Sequence, residues 1–262
     1  MDPITRRRFL WMLGGAAGLG GWAVWQRFGE ALPEGAAPTT MAQATVTTSP
    51  TAVSTPAPPS PTTTTTNPPQ VVLEVIGRNG WGAREPIVDY GSHPIERLTI
   101  HHTAVELADD SQAPSRLRGH QAYHQQQGWA DIAYHFAIDR LGNVYEARPF
   151  SAPGDTFTNY DPAGHFLPVL EGDYNIQQPT ETQIDALVLL LAWAASEFGV
   201  DPATISGHRD HASTTCPGDH IYRVIVEGSL EQLVRERIEV GGVDLSLLRG
   251  DAAVARVAEI EA

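Results

Sequence analysis

From residue 71 onward the chain alternates short β-rich runs with stretches of helical periodicity. Leu98-Thr99-Ile100-His101-His102 is a compact run of strand formers. Ser111 to Gln127 is polar, carries helix formers and predicts a surface helix. Ile132 to Ile138 and Asn143 to Ala147 predict two strands, joined by the hairpin-type turn Asp139-Arg140-Leu141-Gly142. Leu167 to Leu170 predicts a further strand. The strongest helical signal starts at Thr180, where Thr180 and Gln183 form a capping-box pattern. Ile184, Leu187, Val188, Leu191 and Ala195 then supply an apolar stripe at i, i+3, i+4 spacing, and Gly199 is a suitable stop. A last helix spans Ile221 to Glu239, broken or weakened by Gly228. The segment after Gly241 has helical character and no readable role. There is no internal repeat. Strands interleaved with helices predict an α/β domain, a sheet covered by helices.

Upstream the pattern changes twice. Residues 1–29 place Arg6-Arg7-Arg8 before Phe9-Leu10 and an apolar, glycine-rich run from Trp11 to Trp25. A positive start followed by a helix-capable apolar stretch predicts a twin-arginine export signal; the other reading is an N-terminal membrane anchor. The run is about 15 residues, short against the roughly 20 that a spanning helix needs. Residues 30–70 lack charge from Gly35 to Leu73 and are dominated by Thr, Pro, Ser and Ala. Such a stretch has too little apolar mass to offset chain entropy and predicts a disordered, extended linker. This divides the chain into a signal or anchor (1–29), a linker (30–70), a globular domain (71–240) and a tail (241–262). The expected location is outside the cytoplasm, in the wall or tethered to the outer membrane face.

Charge and composition narrow the chemistry. Of the 262 residues 31 are acidic and 17 basic, a formal net charge of −14. That argues against a protein living on nucleic-acid phosphates. Every basic residue is arginine, so any mechanism needing a lysine is excluded. The single cysteine, Cys216, rules out an intramolecular disulfide.

Ten histidines accompany that one cysteine. His101 and His102 end a strand, where sites accumulate on α/β sheets, and His208 lies eight residues before Cys216. Two imidazoles and a thiolate make a three-ligand set that leaves a fourth tetrahedral position open, as a catalytic zinc requires. Neighbours on a strand point to opposite faces, so one of His101 and His102 can join such a set, and periodicity does not say which. His120 and His124 are four apart on the predicted helix, but no glutamate lies between them as in a zinc-protease helix. A rival reading makes Cys216 a nucleophile with His208 as its base. Pro217 follows directly, so Cys216 does not open a helix whose amides would lower its pKa.

Several blocks occur in a fixed order: Trp81-Gly82-Ala83-Arg84, Ile100-His101-His102-Thr103-Ala104, Gly128 to Phe136, Gly142 to Arg148, Gly207-His208-Arg209-Asp210 and Thr215-Cys216-Pro217-Gly218. Together, over roughly residues 75–228, the chain resembles the peptidoglycan recognition protein and zinc N-acetylmuramoyl-L-alanine amidase family, which includes phage enzymes. The resemblance implies a single catalytic domain with a central mixed β-sheet covered by helices. It implies His101, His208 and Cys216 as the ligands of Zn2+, Tyr134 as the active-site tyrosine, and Thr214 at a position that is lysine in the phage enzymes. The retained cysteine is that of the active amidases.

The implied reaction is hydrolysis of the amide joining N-acetylmuramic acid to L-alanine in peptidoglycan, in wall remodelling or lysis. Tyr134 would donate to the tetrahedral oxyanion, and Thr214 would orient water or intermediate. Glu146 is the candidate general base if its strand turns it inward. Gly128, Trp129 and Arg148 match the family's set for meso-diaminopimelate, the arginine taking the extra carboxylate. The alternatives are a non-catalytic peptidoglycan-binding module and an exported amide hydrolase acting on foreign wall. Two departures stand out. His135 replaces the usual asparagine, and the segment 155–168 has no clear counterpart.

Overall fold

The computed structural model describes residues 70–262, so the export signal or anchor and nearly all of the linker lie outside the described residues. In chain order the elements are β1 (Val71–Ile76), β2 (Arg97–His102), α1 (Ala113–Gln126), β3 (Phe136–Ile138), β4 (Val144–Glu146), β5 (His165–Phe166) and β6 (Pro168–Leu170). There follow α2 (Glu181–Phe198), β7 (Ser206–Gly207), α3 (Asp219–Val226), α4 (Ser229–Glu239), β8 (Val243–Leu248) and α5 (Gly250–Ile260). The strands form one sheet in the order β5-β2-β6-β3-β4-β1-β8, with β7 also paired to β2. Only the β3–β4 hairpin is antiparallel; the other pairings are parallel, which makes the sheet mixed.

Register sorts the side chains between two faces. One row of partners runs His102, Leu170, Ile138, Val144 and Val75 across β2, β6, β3, β4 and β1. Most of these join Leu98, Ile100 and Phe136 under α2, whose Leu187, Leu190 and Leu191 are fully buried. Each such leucine stabilises the fold by about 1.5–3 kcal/mol relative to an exposed one. The adjacent row, displaced by one residue, runs His101, Val169, Ala137, Tyr145 and Ile76. It faces α1 and α5, with Trp81, Leu117, Ile132, Ala253 and Val257 packed over most of it. At its β2 end the row carries a histidine instead of a hydrophobe.

The local signals explain most boundaries. Thr180 caps α2 by accepting a hydrogen bond from the Gln183 N–H at 3.2 Å, and Gly199 ends it in the left-handed region at φ 65°. The capping box is only half made. The Gln183 side chain turns into the core, donating to the Ile138 carbonyl and accepting from the Tyr174 hydroxyl. Gly228, at φ 74°, separates α3 from α4, so the predicted last helix is two. Strand β3 is shorter than the Ile132–Ile138 run suggests, because the preceding amides bond elsewhere. Ile132 N–H donates to Asp131 Oδ1, and Ala133 N–H donates to His124 Nδ1. The segment after Gly241 becomes β8, paired along the whole of β1, and then α5.

Candidate metal centre and groove

His101, the residue before the last of β2, points toward the α1 face, and His208 and Cys216 lie on the segment between β7 and α3. One ligand atom from each of the three lies within 4.8 Å of the other two, and all three residues are buried. Cys216 Sγ is 3.6 Å from His101 Nδ1, and the two imidazoles are 4.6 Å apart between ring centroids. Among the described residues no other group of three histidine, cysteine or acidic side chains converges in this way. His102 points to the opposite face, where its Nδ1 accepts from the Tyr174 N–H.

The donor chemistry suits a borderline-soft divalent cation such as zinc. Burial, reinforced by neighbouring imidazoles, holds His101 well below its ordinary pKa, and burial lowers His208 to about 4, so both are neutral lone-pair donors at pH 7. Burial pushes the Cys216 thiol up to about 12 in the absence of an ion. A thiol so placed is a poor free nucleophile, and a neutral His208 offers no imidazolium to lower it. A bound cation reverses that logic by deprotonating the sulfur it coordinates. With three protein donors, a tetrahedral ion keeps one position open.

A groove of about 190 Å³ reaches this cluster, lined among others by His101, His208, Tyr134, Trp129, Asp155 and Thr158. The ring of Tyr134 lies 5.2 Å from that of His101. Burial, aided by Cys216, raises its phenol pKa, so the hydroxyl stays protonated and available as a donor. Thr214 accepts the Cys216 N–H at 3.2 Å and so braces the loop carrying the sulfur. Trp129 packs between His124 and Phe157, at 4.8 and 4.3 Å, as part of an aromatic wall that follows Gly128.

Two further residues are placed differently from their expected roles. Arg148 is buried, and its guanidinium donates to the carbonyls of Ile132, Pro153 and Asp131 and to the carboxylate of Asp155. It therefore holds the groove-lining Asp155 from behind, and Arg148 itself lines a separate cavity rather than the groove. Glu146 accepts from the Arg78 N–H and lines a separate cavity with Phe136, Phe150 and Trp193, on the far side from the metal cluster. That orientation removes it as a general base. The carboxylate that does line the groove is Asp155. His120 and His124 are not a metal pair: His120 lies 3.4 Å from the buried Glu171, and His124 accepts the Ala133 N–H.

Sequence reasoning missed the contribution of the segment after Asp155. Thr158 Oγ1 is 2.8 Å from His208 Nε2, and the Tyr160 hydroxyl is 3.5 Å from His101 Nε2. No local pattern marks either residue; both meet the histidines across 50 or more positions of sequence.

A mixed sheet thus carries a buried His-His-Cys cluster at the end of an aromatic-walled groove, the framework of a domain with a candidate metal centre. A profile of the N-acetylmuramoyl-L-alanine amidase family matches residues 91–219. The chain is 36% identical over 161 residues to peptidoglycan-recognition protein SC2 of Drosophila melanogaster, covering 58% of this chain and 85% of that relative. It is 33% identical over 156 residues to peptidoglycan recognition protein 1 of Rattus norvegicus, with 58% and 85% covered. Among solved structures it resembles Drosophila PGRP-LB, at TM-score 0.52 and 29% identity over 58% of this chain and 91% of that one. It also resembles peptidoglycan recognition protein-LE, solved in complex with tracheal cytotoxin, at TM-score 0.53 and 26% identity over 58% and 92%. The chain belongs to the peptidoglycan-recognition protein and amidase family.

Proposed function

We propose that this protein is a zinc-dependent N-acetylmuramoyl-L-alanine amidase, exported by the twin-arginine route, that cleaves the amide between N-acetylmuramic acid and L-alanine in peptidoglycan. The convergence of His101, His208 and Cys216 within 4.8 Å carries the reading. A binding module needs no such set; three buried donors with one position left open are what metal-assisted hydrolysis requires. Bound zinc would supply Lewis acidity, making water a nucleophile near neutral pH and polarising the scissile carbonyl.

The chain's own residues do the rest. Tyr134 donates a hydrogen bond to the oxygen that gains charge as the carbonyl becomes tetrahedral, a role for which its protonated phenol is suited. Thr214 holds the Cys216 loop and so fixes the sulfur relative to the groove. Trp129 and the aromatic wall exclude water from the side of the stem peptide.

The substrate we favour is diaminopimelate-type peptidoglycan. Support comes from a similar protein solved with tracheal cytotoxin, a monomeric diaminopimelic acid-type peptidoglycan. Gly128 and Trp129 belong to the wall that would meet such a stem peptide, and Arg148 acts on it only through Asp155, the groove carboxylate that it holds.

The deciding experiment incubates purified sacculi with the protein before and after chelation and follows new N-terminal alanine by mass spectrometry. The expected result is release of free stem peptides, abolished by chelation or by Cys216→Ser and restored by zinc in the unsubstituted protein only. Muropeptide binding without peptide release would favour the binding module instead.

A further inference from the structure

We propose that Thr158, with Tyr160 in support, positions the metal-binding histidines by fixing which ring nitrogen carries the proton. The inference rests on the zinc reading and goes beyond it, because it assigns a function to the segment after Asp155.

Each neutral imidazole has one N–H and one lone pair, and the partner of the N–H decides which nitrogen faces the metal. In His101 the assignment follows from position: Nδ1 faces Cys216 Sγ at 3.6 Å, and Nε2 points away toward the Tyr160 hydroxyl at 3.5 Å. In His208 the well-made bond is at Nε2, 2.8 Å from Thr158 Oγ1. Thr158 Oγ1 is itself held, because it lies 2.8 Å from Thr156 Oγ1, which also accepts the Thr158 N–H at 3.1 Å. In the proposed arrangement the Thr158 hydroxyl donates onward to Thr156 Oγ1 and accepts from a protonated His208 Nε2, which leaves the His208 Nδ1 lone pair for the ion. The reverse chain, Thr156 to Thr158 to a bare Nε2, is the opposite assignment that the measurements below separate from it.

The ring of Tyr160 strengthens the arrangement by packing 4.9 Å from His208 and 5.9 Å from His211, the latter stacked. One short stretch thus touches the outward nitrogen of both histidines. The opposite assignment, with His208 Nε2 as the metal donor, makes Thr158 a competitor of the ion.

The two assignments predict opposite signs. Zinc affinity is measured by competition with a chromogenic chelator for the unsubstituted protein, Thr158→Val, Thr158→Ser and Tyr160→Phe. Loss of an outer partner of a metal-bound histidine weakens binding by about 10–100-fold. We expect that range for Thr158→Val, near-complete rescue in Thr158→Ser, and a smaller loss in Tyr160→Phe, whose bond is longer. Thr158→Val binding zinc as tightly as the unsubstituted protein, or more tightly, overturns the proposal. Nitrogen-15 NMR of the unsubstituted protein gives a second reading that needs no folded variant: His208 should be protonated at Nε2, and protonation at Nδ1 overturns the assignment. If the unsubstituted protein itself binds no zinc, the metal reading fails, a result distinct from tight binding that ignores residue 158.

Discussion

The two faces of the sheet, built from the same strands, differ in how much directed polar bonding accompanies their apolar packing. Under α2 the contacts are mostly apolar, aliphatic beside aromatic. Leu98, Ile100, Ile138 and Leu170 meet Leu187, Leu190 and Leu191, Phe136, Phe166, Trp193 and Phe198 pack together, and Gln183 is a buried polar exception. Under α1 the apolar packing of Trp81, Leu117 and Ile132 is bordered by a buried polar network. Gln121 bonds to both backbone groups of Arg84 and to Asp131, Gln125 donates to the Glu85 carbonyl, and His124 accepts from the Ala133 amide. Non-directional burial tolerates repacking, whereas a directed polar network holds groups at fixed angles and is costly to leave half-made. The first face supplies stability, and the second holds the site.

That contrast can be broken or sharpened by substitution. The largest effect after loss of a metal ligand is expected from Tyr134→Phe, which removes one donor from the groove. Turnover should fall about 100–1000-fold, as for one oxyanion donor, with zinc content and thermal midpoint unchanged. If zinc is lost as well, Tyr134 belongs to the scaffold and the division of labour between the two faces fails.

On the α2 face, Leu191→Ala should do the reverse. Unfolding free energy should drop by about 2–5 kcal/mol in a denaturant titration, while turnover per folded molecule holds.

The smallest effect is set by pH. His135 is fully buried, with Nε2 donating to the Ala152 carbonyl and Nδ1 accepting from the Leu167 N–H, so both sites are filled by the neutral ring. Burial lowers its pKa to about 3. An unfolded histidine titrates near 6.5, so between about pH 6.5 and 3 the unfolded chain holds the extra proton. Stability should therefore be complete above pH 6.5 and decline as the medium is acidified. His135→Asn should flatten that decline by up to about 1.4 kcal/mol per pH unit, read from denaturant midpoints. An equally steep decline in the variant would assign the acid lability to His124, His165 and the other buried histidines.

Local signals determined what depends on neighbours along the chain. The cap at Thr180, the stop at Gly199, the break at Gly228 and the turn at Gly142 follow from short-range hydrogen bonds and backbone preferences. The alternation that separates His101 from His102 is likewise local. Ordered blocks made the resemblance to a family readable, and with it the sheet.

Tertiary structure decided which histidine faces the groove, a choice periodicity left open, through the register of β2 against β6 and β7, in agreement with the family resemblance. It turned Gln183 from a capping partner into a core bridge, spent the guanidinium of Arg148 on the wall, and directed Glu146 away. It gave the last residues a role as the strand beside β1, and it brought Thr158 to His208. Periodicity and propensity act over a few residues; these outcomes depend on packing between segments tens of residues apart, where a single polar partner outweighs any local preference.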